Sequence, residues 1–408
     1  YLLSVSLDQT ARVLAPVQTA HQDAKRPIET WHEISRAQVH GYDLNCACFL
    51  LGNTATNDRF VSGADEKILR VFEAPDEVQR LATPWKASGT SDEEERAFPD
   101  ARKSMGTSEQ RVVPHAYLPE LSLTNKAAEL TSSDDQANDG YVALSSSVRL
   151  PVGDTLSRKT LWPEQRKLYG HGNELLSVAS SHAGDLIASA CKSREERYAA
   201  VRLWSTTDWS EAQPPLEGHK SSVVQLAFSP NDRYLLSVSK DRQFCVYERT
   251  DRKFALVERV KAHRRIIWSC SWSPDSRMFA LGSRDQSFSL WNQTAGKWAR
   301  ATESVALEAA VTAVAFCPSE LIGSIATSDA AYLLAVGLET GAIQLFAVSK
   351  PHQDSGAVQC TLKQQVPHEI SASAAILRLA WTPAASKDES RLAAGSRDHS
   401  VRIYDVKL

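Results

Sequence analysis

Two histidine–aspartate pairs are the first candidates for a catalytic site in this sequence. His219 is followed by Asp241, and His263 by Asp285, with serines near both pairs. An imidazole beside a carboxylate and a serine hydroxyl could serve as the general base of an acyl-transfer site. A catalytic site needs one convergent set of groups with an oxyanion pocket, whereas this pairing recurs at a fixed spacing. We therefore interpret both pairs as charge-assisted clamps on turns, and predict no catalytic residue, no metal ligand and no cofactor.

The elements that must hold these pairs are two copies of one repeat, residues 216–247 and 260–291. Each copy has a small residue and a His, an apolar strand ending in Ser-Pro, an alternating strand, a Ser-x-Asp turn and then an aromatic residue. Asp241 and Asp285, the turn residues, lie 44 positions apart. This period and order of signals indicate a four-stranded blade of the WD40 type.

The spacing of the hairpin turn occurs seven times along the chain. In each case an aromatic or apolar residue follows the turn residue by six positions. The seven pairs are Asp8/Leu14, Glu66/Phe72, Tyr198/Trp204, Asp241/Tyr247, Asp285/Trp291, Thr340/Phe346 and Asp398/Tyr404. Residues 1–408 are therefore predicted to form an all-β, single seven-bladed WD40 β-propeller. Its first blade is predicted to be truncated at the N-terminus, and to be either frayed or completed from elsewhere.

A long insertion, residues 76–160, separates the second predicted blade from the third. It carries the charged run SDEEER (91–96), several prolines and serine-rich stretches. A segment of this length with little periodic apolar pattern is typical of a mobile or functional excursion from a fold. We expect it to be partly disordered or docked on the surface of the propeller.

Composition narrows the class of protein. Charged residues make up 23% of the chain and the net charge is −3, which argues against a global attraction to nucleic acid or membranes but permits local patches. The seven cysteines are scattered, with no CxxC pair, as in proteins of a reducing compartment. No apolar run is long enough to predict a membrane span.

One local patch consists of cations next to the predicted hairpin turns and His loops. We call it the basic rim, and its members are Lys240, Arg242, Arg264, Arg265, Arg284 and Arg397. Because His loops and these turns share one end of a blade, the first five are predicted on one face, with Arg397 in a matching position further round. They could bind a phosphate backbone or an acidic protein surface. Alternatively, they are solvated charges or are clamped to blade aspartates.

Several segments resemble the WD40 subunit of the Elongator complex. The most specific are SGADEKILRVF (62–72) and LWPEQRKLYGHGNEL (161–175), and KAHRRIIWSCSW (261–272) is a further similar segment. That subunit is a double seven-bladed propeller, and this chain is similar to its C-terminal half. The resemblance implies a non-catalytic scaffold that joins the large scaffold subunit and the acetyltransferase subunit. It also implies a complex that modifies wobble uridines of tRNA, in the cytoplasm and also in the nucleus.

The resemblance also bears on the basic rim, whose segments SKDR (239–242), RRIIW (264–268) and SRD (283–285) match positions of that family suspected of contacting partners. We therefore expect the rim to bind other Elongator subunits, with at most indirect or weak contact to tRNA. Two alternatives stay open, which are direct binding of tRNA by the same cations and a generic WD40 adaptor that reads a peptide.

Overall fold

The computed structural model describes residues 1–19, 28–37, 40–50, 59–75, 78, 116–117, 141–142, 150–251, 253–294, 296–318, 330–351, 356–383 and 389–407. These residues fold mainly into β-strands, together with the short helix α1 (Asp154–Arg158) and a 3₁₀ turn at Glu196–Tyr198. The predicted all-β class is confirmed.

The first two sheets each contain a strand from beyond the long insertion. The first has the order β1 (Leu2–Val5), β2 (Ala11–Thr19), β3 (Ile28–Ala37) and β9 (Leu161–Trp162). The second has the order β4 (Leu44–Phe49), β5 (Arg59–Ala64), β6 (Ile68–Glu73) and β10 (Glu164–Tyr169). The two-residue strands β7 (Ala116–Tyr117) and β8 (Tyr141–Val142) pair with each other.

The third to seventh sheets follow in chain order. The third has β11 (Leu175–Ser180), β12 (Leu186–Cys191) and β13 (Arg202–Ser205), and the fourth has β14 (Val223–Phe228), β15 (Tyr234–Ser239), β16 (Gln243–Thr250) and β17 (Lys253–Lys261). The fifth has β18 (Ile267–Trp272), β19 (Met278–Ser283), β20 (Ser287–Thr294), β21 (Lys297–Arg300) and β22 (Val305–Ala306). The sixth has β23 (Val311–Phe316), β24 (Ala330–Leu338), β25 (Ile343–Ser349) and β26 (Cys360–Gln365), and the seventh has β27 (Ile376–Trp381), β28 (Glu389–Ser396) and β29 (Val401–Lys407).

All seven predicted hairpins are present. Each predicted turn residue lies between two antiparallel strands of one sheet, from Asp8 between β1 and β2 to Asp398 between β28 and β29. The seven sheets therefore confirm the prediction of a seven-bladed WD40 propeller.

The first sheet gains a strand at its outer edge, whereas no described strand takes the inner position next to β1. Asp8 lies between the first and second strands of its sheet, but Asp241 lies between the second and third strands of the fourth sheet. Strand β9 pairs in parallel with β3, with Arg36 opposite Leu161. The indole N–H of Trp162 donates to Ser35 Oγ at 3.0 Å and holds β9 in place. A strand from beyond the insertion thus covers the edge of β3.

The insertion interrupts the second sheet, because that sheet has strands on both sides of it. Strand β10 follows the insertion and lies next to β6, where Arg70 and Glu164 form a largely buried ion pair at 2.5 Å. This pair couples the two strands in a way that a search for hairpin turns cannot detect. Most of residues 76–160 lie outside the described residues, so their disordered or docked state remains a prediction.

The chain divides into two compact units, and the third to seventh sheets lie wholly in the second. The first unit comprises Tyr1–Phe49, Thr56–Ser62 and Leu69–Lys167, and the second comprises Leu50–Ala55, Gly63–Ile68 and Leu168–Leu408. Within the second unit, the fourth, fifth and sixth sheets each pack against a neighbouring sheet on both faces. Leu235 of β15 packs with residues of the third sheet, whereas Leu236 packs with residues of the fifth. Strands such as β15 are therefore buried at every residue, and the stacking buries apolar faces that no sheet could bury alone.

Candidate partner-binding rim

In the fourth sheet, the carboxylate of Asp241 ties the His loop to the hairpin turn. Asp241 Oδ2 lies 3.1 Å from His219 Nδ1 and accepts the backbone N–H of Lys220 at 2.9 Å. Its Oδ1 accepts the backbone N–H of Gln243 at 2.9 Å. The other ring nitrogen of His219 is 2.8 Å from Ser237 Oγ. Both nitrogens of this buried imidazole are engaged, so neither is available to a substrate.

The fifth sheet repeats this clamp with one change. His263 Nδ1 lies 3.1 Å from Asp285 Oδ2, and Asp285 also accepts the backbone N–H of Arg264 at 3.0 Å. The hydroxyl beside His263 Nε2 belongs to Ser289, at 2.8 Å, on the strand after the turn. The position that matches Ser237 holds Leu281, which has no hydroxyl. The geometry of both pairs is that of a turn clamp.

The clamps shift the pKa values of their members. Burial raises the pKa of Asp241, but its hydrogen bond and charge interaction with His219 and two backbone N–H groups outweigh it, so the net pKa is lowered. The pKa of Asp285 is also lowered, because the hydrogen bond from Ser287 and the interactions with His263 and Arg264 exceed the effect of burial. Burial lowers the pKa of His263 despite the opposing effect of Asp285. Burial, with a contribution from Arg202, lowers the pKa of His171 to about 3.

These shifts predict that acid destabilises the fold in two steps. The unfolded chain protonates its histidines near pH 6.5, above the lowered pKa values of folded His171 and His263, so stability falls as the pH decreases below about 6.5. The lowered pKa values of Asp241 and Asp285 add a second loss as the pH falls below about 4. Thermal unfolding measured from pH 7.5 to 3.5 checks this. A melting temperature that does not decrease between pH 7 and pH 5 would contradict the first step.

A recurring backbone hydrogen bond fixes part of the basic rim. The residue after the second strand of a sheet donates its N–H to the carbonyl of the residue before the inner strand. These bonds are Lys240 to Ser222 (3.1 Å), Arg284 to Ile266 (2.9 Å) and Arg397 to Ala375 (2.9 Å). All three cations therefore occupy the same end of their sheets, the end that carries the hairpin turn.

The other members of the basic rim lie at the same end of the fourth and fifth sheets. Arg242 is in the turn itself, with a positive φ of 73°. Arg264 and Arg265 precede Ile266, whose carbonyl accepts the N–H of Arg284. The fifth sheet thus brings three arginines together, whereas Arg397 lies on the seventh sheet. All six side chains are exposed, and none makes an ion pair or side-chain hydrogen bond with another described residue.

The structure places two further cations, Lys192 and Lys220, at positions equivalent to members of the basic rim, and both were missed by the sequence analysis. It also places an acidic residue, Glu339, at one such position. Lys192 of the third sheet donates its N–H to Glu174 in the recurring bond and forms an ion pair with Asp65. Its lengthened turn, KSREER, hid this correspondence. Lys220 is exposed and occupies the position that Arg264 has in the next repeat, directly after the His. In the sixth sheet the same position as Arg284 holds the acidic Glu339.

Other kinds of site receive little support in the part of the chain that the structure describes. There, no group of three or more His, Cys, Asp or Glu side chains is arranged to hold a metal ion. None of the helices among the described residues has the length and apolar character needed to cross a membrane.

Comparison with known proteins finds WD repeats in this chain and relatives that share one name. Residues 211–248, 254–292 and 364–405 match the family described as "WD domain, G-beta repeat". Over its whole length the chain is 35% identical to Elongator complex protein 2 of Saccharomyces cerevisiae, and 34% identical to the proteins of that name from Arabidopsis thaliana and Homo sapiens. The matches cover 49%, 49% and 51% of those relatives, so the chain spans about half the length of the curated relatives it matches. The resemblance inferred from the sequence motifs is confirmed.

Proposed function

We propose that this chain, a WD40-repeat protein that matches Elongator complex protein 2 along its whole length, is a non-catalytic scaffold in an Elongator complex. In this role it would hold the large scaffold subunit and the acetyltransferase subunit in a machinery that modifies wobble uridines of tRNA. We place it in the cytoplasm, and also in the nucleus. The similarity to relatives named for that complex supports the assignment.

The main support for the scaffold role is that the basic rim combines a fixed backbone with exposed cationic side chains. Its backbone is fixed by hydrogen bonds of the turns and inner strands, while its six side chains extend into solvent without a partner among the described residues. Guanidinium groups bind carboxylates through two parallel hydrogen bonds, so neighbouring arginines suit an acidic protein surface. A fixed backbone presents them at little additional cost in conformational entropy.

The His–Asp pairs support a scaffold rather than an enzyme. Each imidazole is buried and uses both ring nitrogens within its own sheet. A general base must reach the proton that it abstracts from a substrate. These histidines instead hold the turns from which the basic rim projects.

We expect reversal of the rim charges to release the partner subunits without unfolding the chain. The variant is Arg242→Glu, Arg265→Glu and Arg284→Glu, all at exposed positions. Recovery of the other subunits with the tagged protein should fall at least about 10-fold, because attraction at the interface becomes repulsion. The measurement is quantitative mass spectrometry of the purified complex, together with the melting temperature of the variant.

The matched control reverses three exposed lysines of outer strands, Lys253→Glu, Lys297→Glu and Lys363→Glu. It changes the net charge by the same amount but leaves the basic rim intact, so recovery should be unchanged. Equal recovery with the rim variant and the control would overturn the proposed role of the rim.

Direct binding of tRNA by the basic rim is the second candidate, since the same exposed cations could bind phosphates. It is the weaker candidate for two reasons. The net charge of the chain is −3, and the acidic Glu339 takes the position in the sixth sheet that Arg284 has in the fifth. If it is correct, the isolated chain shifts tRNA in an electrophoretic assay, and its affinity falls linearly in log salt. An absent or salt-insensitive shift would remove this candidate.

A further inference from the structure

A tryptophan has a strained backbone conformation at one end of the third sheet. Trp209 has a φ of 60°, in the left-handed region that bulky residues rarely adopt. It is the fifth residue after Trp204. The fifth residue after Trp291, at the same position of the fifth sheet, is Gly296, with a φ of 79°. Glycine adopts this conformation without steric cost, so the third sheet has a tryptophan where the fifth sheet has the residue that suits the backbone.

The contacts of Trp209 within the chain do not account for a tryptophan at this position. The residue is partly exposed, and it does not belong to the clusters of buried apolar side chains that the third, fourth and fifth sheets share. Among the described residues, its ring contacts no other aromatic ring and its indole N–H donates no hydrogen bond. Strained residues of this kind cluster at binding sites, where the strain has a use that the fold alone does not supply.

Hydrogen bonds fix the turn that carries Trp209. The Trp209 N–H donates to the carbonyl of Ser205 at 3.1 Å, and the Ser205 N–H donates to the carbonyl of Ser210 at 2.9 Å. The N–H of Thr206 donates to the carbonyl of Asp185 at 3.0 Å, which ties the turn to the preceding loop of the same sheet. An indole on a turn that is held in this way loses little conformational freedom when it binds a partner.

The residue before Trp209 supplies a negative charge. Asp208 is exposed, and its Oδ2 accepts the hydroxyl of Ser210 at 2.7 Å. Hydrogen bonds from Ser205 and Ser210 lower the pKa of Asp208, so the carboxylate is ionised at neutral pH. It forms no ion pair with a described cation. An aromatic ring beside such a carboxylate suits a Lys or Arg side chain, because the ring face attracts the cation and the carboxylate accepts its N–H groups.

We infer that Trp209 and Asp208 bind a basic segment of another protein, with a Lys or Arg side chain stacked on the indole and paired with the carboxylate. A nucleic-acid base could also stack on an indole, but Asp208 repels the phosphates that accompany it. The site lies at the opposite end of the third sheet from Lys192. Ser205 pairs with Leu186, the first residue of β12, whereas Lys192 follows the last. The inference therefore goes beyond the proposed role of the basic rim and does not depend on it.

Photochemical cross-linking from position 209 tests this site in the protein within its own cells. Trp209 is replaced by p-benzoyl-phenylalanine, an aromatic residue that forms a covalent bond with a neighbouring C–H group on irradiation, and the cross-linked peptides are sequenced by mass spectrometry. The expected product joins position 209 to another protein, next to a Lys or Arg of that protein. A cross-link to nucleic acid, to the same chain or to a segment without cations would overturn the inference, as would the absence of a product.

A charge reversal beside the ring tests the role of the carboxylate. Asp208→Lys should lower the yield of the cross-link at least about 10-fold, because attraction of the incoming cation becomes repulsion. The matched control is Glu303→Lys, which changes the net charge by the same amount at an exposed acidic position of the fifth sheet. It should leave the yield unchanged. Equal yields from the two variants would show that Asp208 does not select the partner, contrary to the inference.

The stability of a third variant distinguishes a binding role of the ring from a structural one. Asparagine adopts the left-handed conformation more readily than other residues with a side chain. Trp209→Asn should therefore not lower the melting temperature of the 408-residue chain, although it removes the indole. If the melting temperature falls by about 5 °C or more, the ring stabilises the fold, and its strained conformation gives no reason to expect a partner.

Discussion

Substitution of Gly341 by Ala is expected to lower the free energy of unfolding by about 3 kcal/mol or more. Gly341 lies in the turn of the sixth sheet with a φ of +94°, a conformation that residues with a side chain rarely adopt. An added Cβ would lie 2.1 Å from the carbonyl oxygen of Ala372 and 2.8 Å from that of Ala374. These are backbone atoms, which cannot move aside as a flexible side chain would. The turn would have to shift away from the entry to the seventh sheet.

A second glycine separates the two causes of this destabilisation. Gly296 has a φ of +79°, but a Cβ there would meet no described atom within 4 Å. Gly296→Ala should therefore show only the conformational cost, about 1–2 kcal/mol. Denaturant unfolding of both variants gives the difference, which measures the clash at Gly341. Equal effects of the two substitutions would show that the neighbouring backbone accommodates the methyl group.

Substitution of Asp241 by Ala should lower stability by about 3 kcal/mol. The carboxylate is 8% exposed and accepts hydrogen bonds from two backbone N–H groups, besides its contact with His219. Its removal leaves the N–H groups of Lys220 and Gln243 without their acceptor, and such orphaned donors account for much of the cost. We expect hydrogen exchange at these two amides to accelerate first, because the clamp is local.

Two further variants test the origin of that loss. Asp241→Asn retains one oxygen as an acceptor and should lose about half as much stability. Asp405→Ala removes an aspartate that is 73% exposed and pairs with Arg391 at 2.9 Å, so it should cost less than about 1 kcal/mol. If Asp241→Ala is no more destabilising than Asp405→Ala, the clamp does not stabilise the turn.

Repetition explains why so much of the fold was predictable from the sequence. A turn such as that at Asp285 uses local hydrogen bonds, and its aromatic partner Trp291 lies on the next strand of the same hairpin. Short-range features of this kind appear in the sequence at constant spacing, even where the turn residue is Thr340 rather than Asp. The number of sheets and the end of each sheet that carries the basic rim followed from them.

The remaining features depend on contacts that spacing does not encode. The parallel pairing of β9 with β3 joins residues on opposite sides of the insertion, and no local motif marks it. In the clamp of the fifth sheet, the hydroxyl next to the imidazole is on the strand after the turn rather than on the strand before it. Only the three-dimensional structure shows that Ser289 can reach His263. Lys192 was missed because its turn is longer than those of the other sheets, although its backbone hydrogen bond is the same.

The placement of β9 and β10 after the insertion sets an order of events during synthesis on the ribosome. Strands β3 and β6 emerge first, but their partners are not available until residues 161–169 have been made. The edges of both sheets therefore wait unpaired while the intervening segment is translated, which makes them candidates for chaperone binding. Once both sides are present, the length of that segment matters little to the free energy of folding, because each doubling of the length between two paired strands costs only about 0.6 kcal/mol of closure entropy. The length of the segment can therefore change with little effect on the pairing of either sheet.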